Sequence, residues 1–144
     1  MKILVKFPSR ERPERFFDSL NTVYNNAADV ANIYVLGTFD MNDPSMNNLK
    51  VKQRMQDYPN FKGIYGVSLS KIDAVNRDMD TLHEVWPEAS DWDAVVVLSD
   101  DMRFTGANWD EVLRAEFSIN GLDCLLHLPD QDAKSALATM YIAG

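Results

Sequence analysis

Two adjacent carboxylates, Asp100 and Asp101, follow the most apolar run of the chain, Ala94-Val-Val-Val-Leu98, with only Ser99 between. Neighbouring carboxylates repel each other unless water or a cation relieves them, and a divalent ion is the simplest relief. Magnesium and manganese prefer oxygen ligands and keep positions open for water and phosphate, so one or two carboxylates suffice. Successive side chains of a strand point to opposite faces, so one member of the pair is expected to touch the metal directly. A solvated turn opened by two acids is the alternative, and the pair alone does not decide against it.

A second set of residues suits an anion. Lys71 stands at the start of the helical segment Ser70–Met79, with Asn76 and Arg77 a turn or more later, and a lysine at a helix N-terminus suits a phosphate. A surface helix with Lys71, Asp73, Arg77 and Asp78 in solvent is the simpler account of Arg77. Arg10 and Arg12 either face an anion or cover the first turn of a helix. His83 and His127 have no Cys or His partner at zinc-ligand spacing and read as surface or core histidines. Cys124, in an apolar run, reads as a small core residue, and Trp86, Trp92 and Trp109 as packing beside structural breaks. Glycine-rich dinucleotide, Walker and nucleophile-elbow motifs are absent, which removes three large enzyme classes.

Short apolar runs alternate with amphipathic segments, the pattern of an α/β sandwich of three layers around a mainly parallel sheet. A strand over Lys2 to Phe7 stops at Pro8, and Pro13 opens a helix whose buried stripe is Phe16, Phe17, Leu20, Val23 and Tyr24. A second strand over Asn32 to Leu36 runs into the turn-rich Gly37 to Pro44, followed by a helix from Ser45 to Asp57. A third strand, Phe61 to Val67, precedes one long helix in which Ile72, Val75, Met79, Leu82 and Trp86 recur at helical spacing. Ala94 to Leu98 does not alternate, which predicts burial on both faces and a central parallel position. Asn108 and Glu111 have capping-box spacing for a helix that buries Val112, Leu113 and Phe117 and ends before Gly121. Leu122 to Leu128 and Leu137 to Ile142 read as the last two strands.

Ligands of open α/β sheets bind beyond the carboxyl ends of the strands. Those ends carry Pro8-Ser9-Arg10, then Asp40 and Asp43, then Ser68, Ser70 and Lys71, and finally Ser99-Asp100-Asp101, and all four are expected to share one rim.

The chain of 144 residues fits one domain over 1–144 without repeats. A net charge of −8 argues against duplex DNA or an anionic membrane as partner, since both are bound by a surplus of lysine and arginine. An anionic ligand therefore needs a local basic patch or a bridging cation. One cysteine allows no internal disulfide, no signal-like segment is present, and the cytoplasm is the expected compartment.

In order and spacing, Phe7-Pro-Ser-Arg-Glu-Arg-Pro13, Asp40-Met-Asn-Asp-Pro44, Ser70-Lys-Ile-Asp-Ala-Val-Asn76 and Leu98-Ser-Asp-Asp-Met102 resemble the N-terminal, nucleotide-sugar-binding half of a GT-A fold glycosyltransferase, most like family 2. The resemblance implies that Pro8, Ser9, Arg10 and Asp40 hold the base and that Lys71 and Asn76 lie near the nucleoside or phosphates. It also implies that Asp100-Asp101 stands for the family's DxD motif, with Asp101 the direct ligand of Mn²⁺ or Mg²⁺ and Ser99 where the first acid usually stands. The implied reaction is transfer of a sugar from a nucleoside diphosphate to an acceptor, with a non-catalytic nucleotide-sugar-binding module as the rival. In such enzymes the acceptor site and catalytic base follow this half. The chain is therefore expected to be a C-terminally truncated piece that names no general base, since Asp130 and Asp132 after the fifth strand are loop carboxylates of the kind usually just solvated, and its apolar edge strand is expected to invite self-association into a homo-oligomer.

Overall fold

The computed structural model describes residues 1–88, 92–128 and 140–143. Strands β1 (Ile3–Pro8), β2 (Ile33–Asp40), β3 (Phe61–Gly66), β4 (Ala94–Val97), β5 (Leu125–Leu128) and β6 (Met140–Ala143) form one sheet in the order β3-β2-β1-β4-β6-β5. The first four strands in that order are parallel, and β6 runs antiparallel to both β4 and β5.

The helices are α1 (Pro13–Asn25), α2 (Leu49–Met55), α3 (Lys71–Asn76), α4 (Leu82–Val85) and α5 (Trp109–Asn120). Period-2 alternation in the strands sorts the core into two layers. Ile3, Val5 and Phe7 of β1 meet Phe16, Phe17, Leu20 and Val23 of α1 on one face, together with Val51 and Met55 of α2 and Leu113 and Phe117 of α5. Leu4 and Leu36 meet Leu82 and Trp86 on the other. Phe16 centres the larger layer, 4.7 Å from the ring of Phe7 and 5.2 Å edge-on to Phe39, and a fully buried ring of this kind contributes about 1.5–3 kcal/mol over exposure. Pro13 in the first turn and this apolar stripe are why α1 forms where expected.

Several elements differ from expectation for identifiable reasons. β2 continues through Gly37 to Asp40 rather than turning after Leu36, because Phe39 enters the core and the strand pairs with β3 as far as Asp40 opposite Gly66. Gly37 permits this, since a Cβ there would stand 2.7 Å from the Phe39 ring and 2.8 Å from Phe61. α2 begins at Leu49, not Ser45, because the side chain of Asn48 accepts the amide of Val51 at 3.0 Å. The expected long helix is two short ones: Arg77 leaves α3 with ψ 140° and Asp78 adopts φ 68°. Ile72, the first of the residues at helical spacing, is exposed. Asn108 does precede α5, but with φ 56° and no capping bond from its side chain, so the capping box does not form, and Val112 is exposed. β4 is central as expected, with Val95 and Val97 half-buried rather than buried. The last strand is not at an edge: β6 lies between β4 and β5, so the expected sticky C-terminal edge is replaced by an antiparallel insertion.

Candidate functional site

The carboxyl ends of β1, β2, β3 and β4 open into one cleft of about 340 Å³. Pro8, Ser9, Arg10 and Arg12 come from the β1–α1 turn, Thr38 and Asp40 from β2, Ser68 to Lys71 and Ala74 from the β3–α3 turn and α3, and Ser99 and Asp100 from the end of β4. Parallel pairing dictates this convergence, because every strand of the set points its last residue to the same rim. The extension of β2 to Asp40 is what brings that acid to the cleft.

Asp100 is the anchor of the β4 side. Only 3% exposed, it accepts a hydrogen bond from Ser9 Oγ at 2.8 Å on Oδ2. The guanidinium of Arg12 lies 3.3 Å from Oδ1, yet without hydrogen-bond alignment, so Oδ1 is a buried oxygen with an electrostatic neighbour but no hydrogen-bond donor. Asp101, by contrast, is exposed to solvent. Its carboxyl is held below the usual range by a hydrogen bond from the Ser99 side chain, against some desolvation, with its own backbone amide and the charges of Lys71 and Arg12 helping. Ser99, where the resemblance expected an acid, thus keeps Asp101 ionised.

The β2 side is tied by arginines. Arg10 donates to Asp40 Oδ2 at 2.9 Å, and Arg77 stands 3.7 Å from Asp40 Oδ1. The turn bearing Arg10 and Arg12 is fixed from below by buried Asp43, whose Oδ2 accepts the amide of Glu11 at 2.7 Å and whose Oδ1 accepts that of Ser45 at 3.0 Å. Glu11 has φ 60°, a left-handed conformation that sets the two arginines on either side of it.

The cleft therefore gathers Pro8, Ser9, Arg10, Asp40, Lys71 and Asp100 from the sequence-derived set, with Asp101 at its edge. It does not gather Asn76, the last residue of α3, which lies in a separate depression with Asp73, Arg77 and Asp78. Asp130 and Asp132 lie outside the described residues. His83 is exposed, and Cys124 packs partly buried against the core, both as expected. Arg77, read as a surface residue, is largely buried. Lys6 was missed altogether. It is fully buried, donates to Thr38 Oγ1 and, at 2.6 Å, to the carbonyl of Arg77, and burial, opposed by Asp78 and aided by Arg77, pushes its pKa down to about 8. A lysine inside the run Ile3 to Phe7 was the only signal available.

Three cations and two carboxylates line the cleft, and Asp101 at its edge brings the formal balance to zero. A diphosphate would thus arrive without net attraction unless a cation came with it. Among the described residues no three His, Cys, Asp or Glu side chains gather as a closed metal site. The donor set is instead exposed Asp101 and the undonated Oδ1 of its neighbour Asp100, hard oxygens of the kind that suit Mg²⁺ or Mn²⁺ shared with phosphate and water. Among the described residues no helix is long and apolar enough to cross a membrane.

No family model and no curated protein matches this chain. Solved structures do. S. aureus TarS 1–349 superposes with a TM-score of 0.65 at 14% identity, over 94% of this chain and 38% of its own. The same TarS portion in complex with UDP-GlcNAc gives 0.66 at 13%, over 99% and 45%. The mannosyltransferase PcManGT from Pyrobaculum calidifontis, in complex with GDP-Man and Mn²⁺, gives 0.68 at 10% identity, over 90% and 36%. The fold is that of the GT-A glycosyltransferases. This GT-A-like domain spans 36–45% of the length of these neighbours, and its cleft sits at the ends of the parallel strands.

Proposed function

We propose that this GT-A-like domain binds a nucleoside diphosphate sugar together with Mn²⁺ or Mg²⁺ and forms the donor side of a glycosyltransferase. The observation that carries the reading is the division of labour at the end of β4: Asp100 is buried and tied to Ser9, while Asp101 is exposed and kept ionised by Ser99. One carboxylate builds the floor and the other is presented to a cation.

The roles follow from position. Asp40, oriented by Arg10, accepts N–H groups of the base at the β2 end. Pro8 and Ser9 form the wall between base and ribose, and Asp100 Oδ1 is free to accept a ligand hydroxyl or face the cation. Lys71, at the start of α3 and lining the same cleft as Asp100, supplies a point charge to the phosphates. Asp101 holds the divalent ion, which when bound neutralises charge developing on the diphosphate leaving group as a Lewis acid. Three of the neighbouring structures, which bind UDP-GlcNAc, UDP or GDP-Man with Mn²⁺, make this ligand class the reasonable one to test.

A non-catalytic binding module is the second reading, favoured by the share of the neighbours that the chain covers. Donor hydrolysis or transfer, detected as release of nucleoside diphosphate, decides for the enzyme. The binding step is tested by thermal unfolding with UDP, GDP, CDP and dTDP, each with and without Mn²⁺. A ligand at about 100 times its dissociation constant adds about 2.7 kcal/mol of apparent stability, a rise of several degrees for a domain of this size. Absence of a metal-dependent shift with all four nucleotides refutes the reading.

A further inference from the structure

Arg77 does not line the cleft. Its guanidinium lies behind it, over the last residue of β3: a Cβ on Gly66 would stand 3.0 Å from Arg77 Cζ, 3.1 Å from its Nη1 and 3.2 Å from Nε. From there Nη2 donates to the carbonyl of Phe39 at 2.7 Å, Nη1 donates to Ser68 Oγ at 2.7 Å, and Nε donates to Asp78 at 3.1 Å. Nη1 also stands 3.7 Å from Asp40 Oδ1. The backbone of Arg77 is fixed in turn by Lys6, which donates to its carbonyl.

Apart from Asp78, every group that this side chain holds belongs to a wall of the cleft or adjoins one. Phe39 precedes Asp40, and Ser68 opens the turn that carries Leu69, Ser70 and Lys71. Val67, Leu69 and Ile72 of that turn are exposed, and its own bonds are local: the Leu69 and Asp73 amides to the Asp73 and Ser70 side chains and the Ala74 amide to the Ser70 carbonyl. We propose that Arg77, seated on Gly66, is a positioning residue that sets the spacing between the Asp40 wall and the Lys71 wall of the cleft. The bond pattern needs a planar fork with donors on three nitrogens, which a lysine cannot supply. It also explains why α3 stops at Asn76: a continuing helix would carry Arg77 away from Gly66.

This role rests on the donor-cleft reading for its meaning, but part of its test does not. Amide hydrogen exchange on the ligand-free protein, wild type against Arg77→Lys and Gly66→Ala, separates positioning from general stability. The expected result is exchange at least tenfold faster at Met41, whose amide bonds the Gly66 carbonyl, and at Leu69, with the amides shared by β1 and β4 unchanged. Equal acceleration of the β1–β4 core, or no acceleration at Met41 and Leu69, overturns the proposal. In the second arm Arg77→Ala is titrated with UDP and GDP in Mn²⁺, with and without millimolar guanidinium. Affinity is expected to fall at least tenfold, to recover with guanidinium and not with methylammonium; a variant that binds as tightly as wild type overturns the proposal. A wild type that binds neither UDP nor GDP moves this arm to CDP and dTDP, and one that binds none of the four refutes the donor-cleft reading alone, while the exchange arm still decides the role of Arg77.

Discussion

Replacing Lys6 by methionine should remove a pH dependence of stability that its burial creates. The ammonium sits in the sheet with no exposed surface, and its pKa is lowered from 10.5 to about 8. The unfolded chain thus holds this proton more tightly than the folded one, so wild-type stability rises as pH climbs through the window from about 8 to 10.5. At 1.36 kcal/mol per pKa unit the full span is about 3 kcal/mol, of which about 2 kcal/mol falls between pH 7 and 9.5. Tyr24, whose pKa burial raises, works in the opposite direction only once free tyrosine ionises near pH 10, so the measurement stops short of that. At pH 7 the substitution relieves the buried charge but leaves Thr38 Oγ1 and the Arg77 carbonyl without their donor, a loss of about 1–3 kcal/mol, so the two proteins should be nearly equal. Urea midpoints of both at pH 7, 8, 9 and 9.5 give the difference directly. The wild type should gain on Lys6→Met by about 2 kcal/mol across that series. A constant difference would show that the ammonium is not desolvated and would refute the reasoning.

Two further substitutions test how the rim is built. Glu11→Gly removes a side chain from a left-handed residue at φ 60° while keeping the amide that Asp43 accepts, and should raise stability by about 1 kcal/mol, read as a melting temperature higher by about 3 °C. Gly37→Ala places a methyl 2.7 Å from the Phe39 ring and should cost about 1–3 kcal/mol through overpacking, with weaker nucleotide binding because Asp40 lies three residues on; calorimetry and a nucleotide titration check both effects.

The layout of the site was legible in the sequence because it depends on where strands end. The pure apolar run before Ser99 and the proline-bounded turn after Phe7 marked two of those ends, and Asp40, Lys71 and Asp100 fell where parallel pairing requires. What was not legible depends on contacts distant in sequence. Ile72, Val75, Met79, Leu82 and Trp86 keep helical spacing across a break that exists because the Arg77 guanidinium bonds the Phe39 carbonyl and the Arg77 carbonyl takes a bond from Lys6. No local pattern reports a lysine from strand one reaching a carbonyl 71 residues on. For the same reason Asn76 was expected at the cleft and Arg77 in solvent, whereas both line a separate depression and Arg77 is largely buried behind the cleft. Gly37 read as a turn, although its lack of a side chain is what lets β2 run beneath Phe39 and Phe61.

The central claim is that Asp101 presents an ionised carboxylate to a divalent cation that carries a nucleoside diphosphate into the cleft. Isothermal titration of UDP, GDP, CDP and dTDP into wild type and Asp101→Asn, each in Mn²⁺ and in EDTA, separates the cases. At least one nucleotide is expected to bind the wild type in Mn²⁺, with EDTA weakening this at least tenfold and Asp101→Asn in Mn²⁺ falling to the EDTA level while still unfolding at the wild-type temperature. Equal affinity of wild type and Asp101→Asn in Mn²⁺ would contradict it.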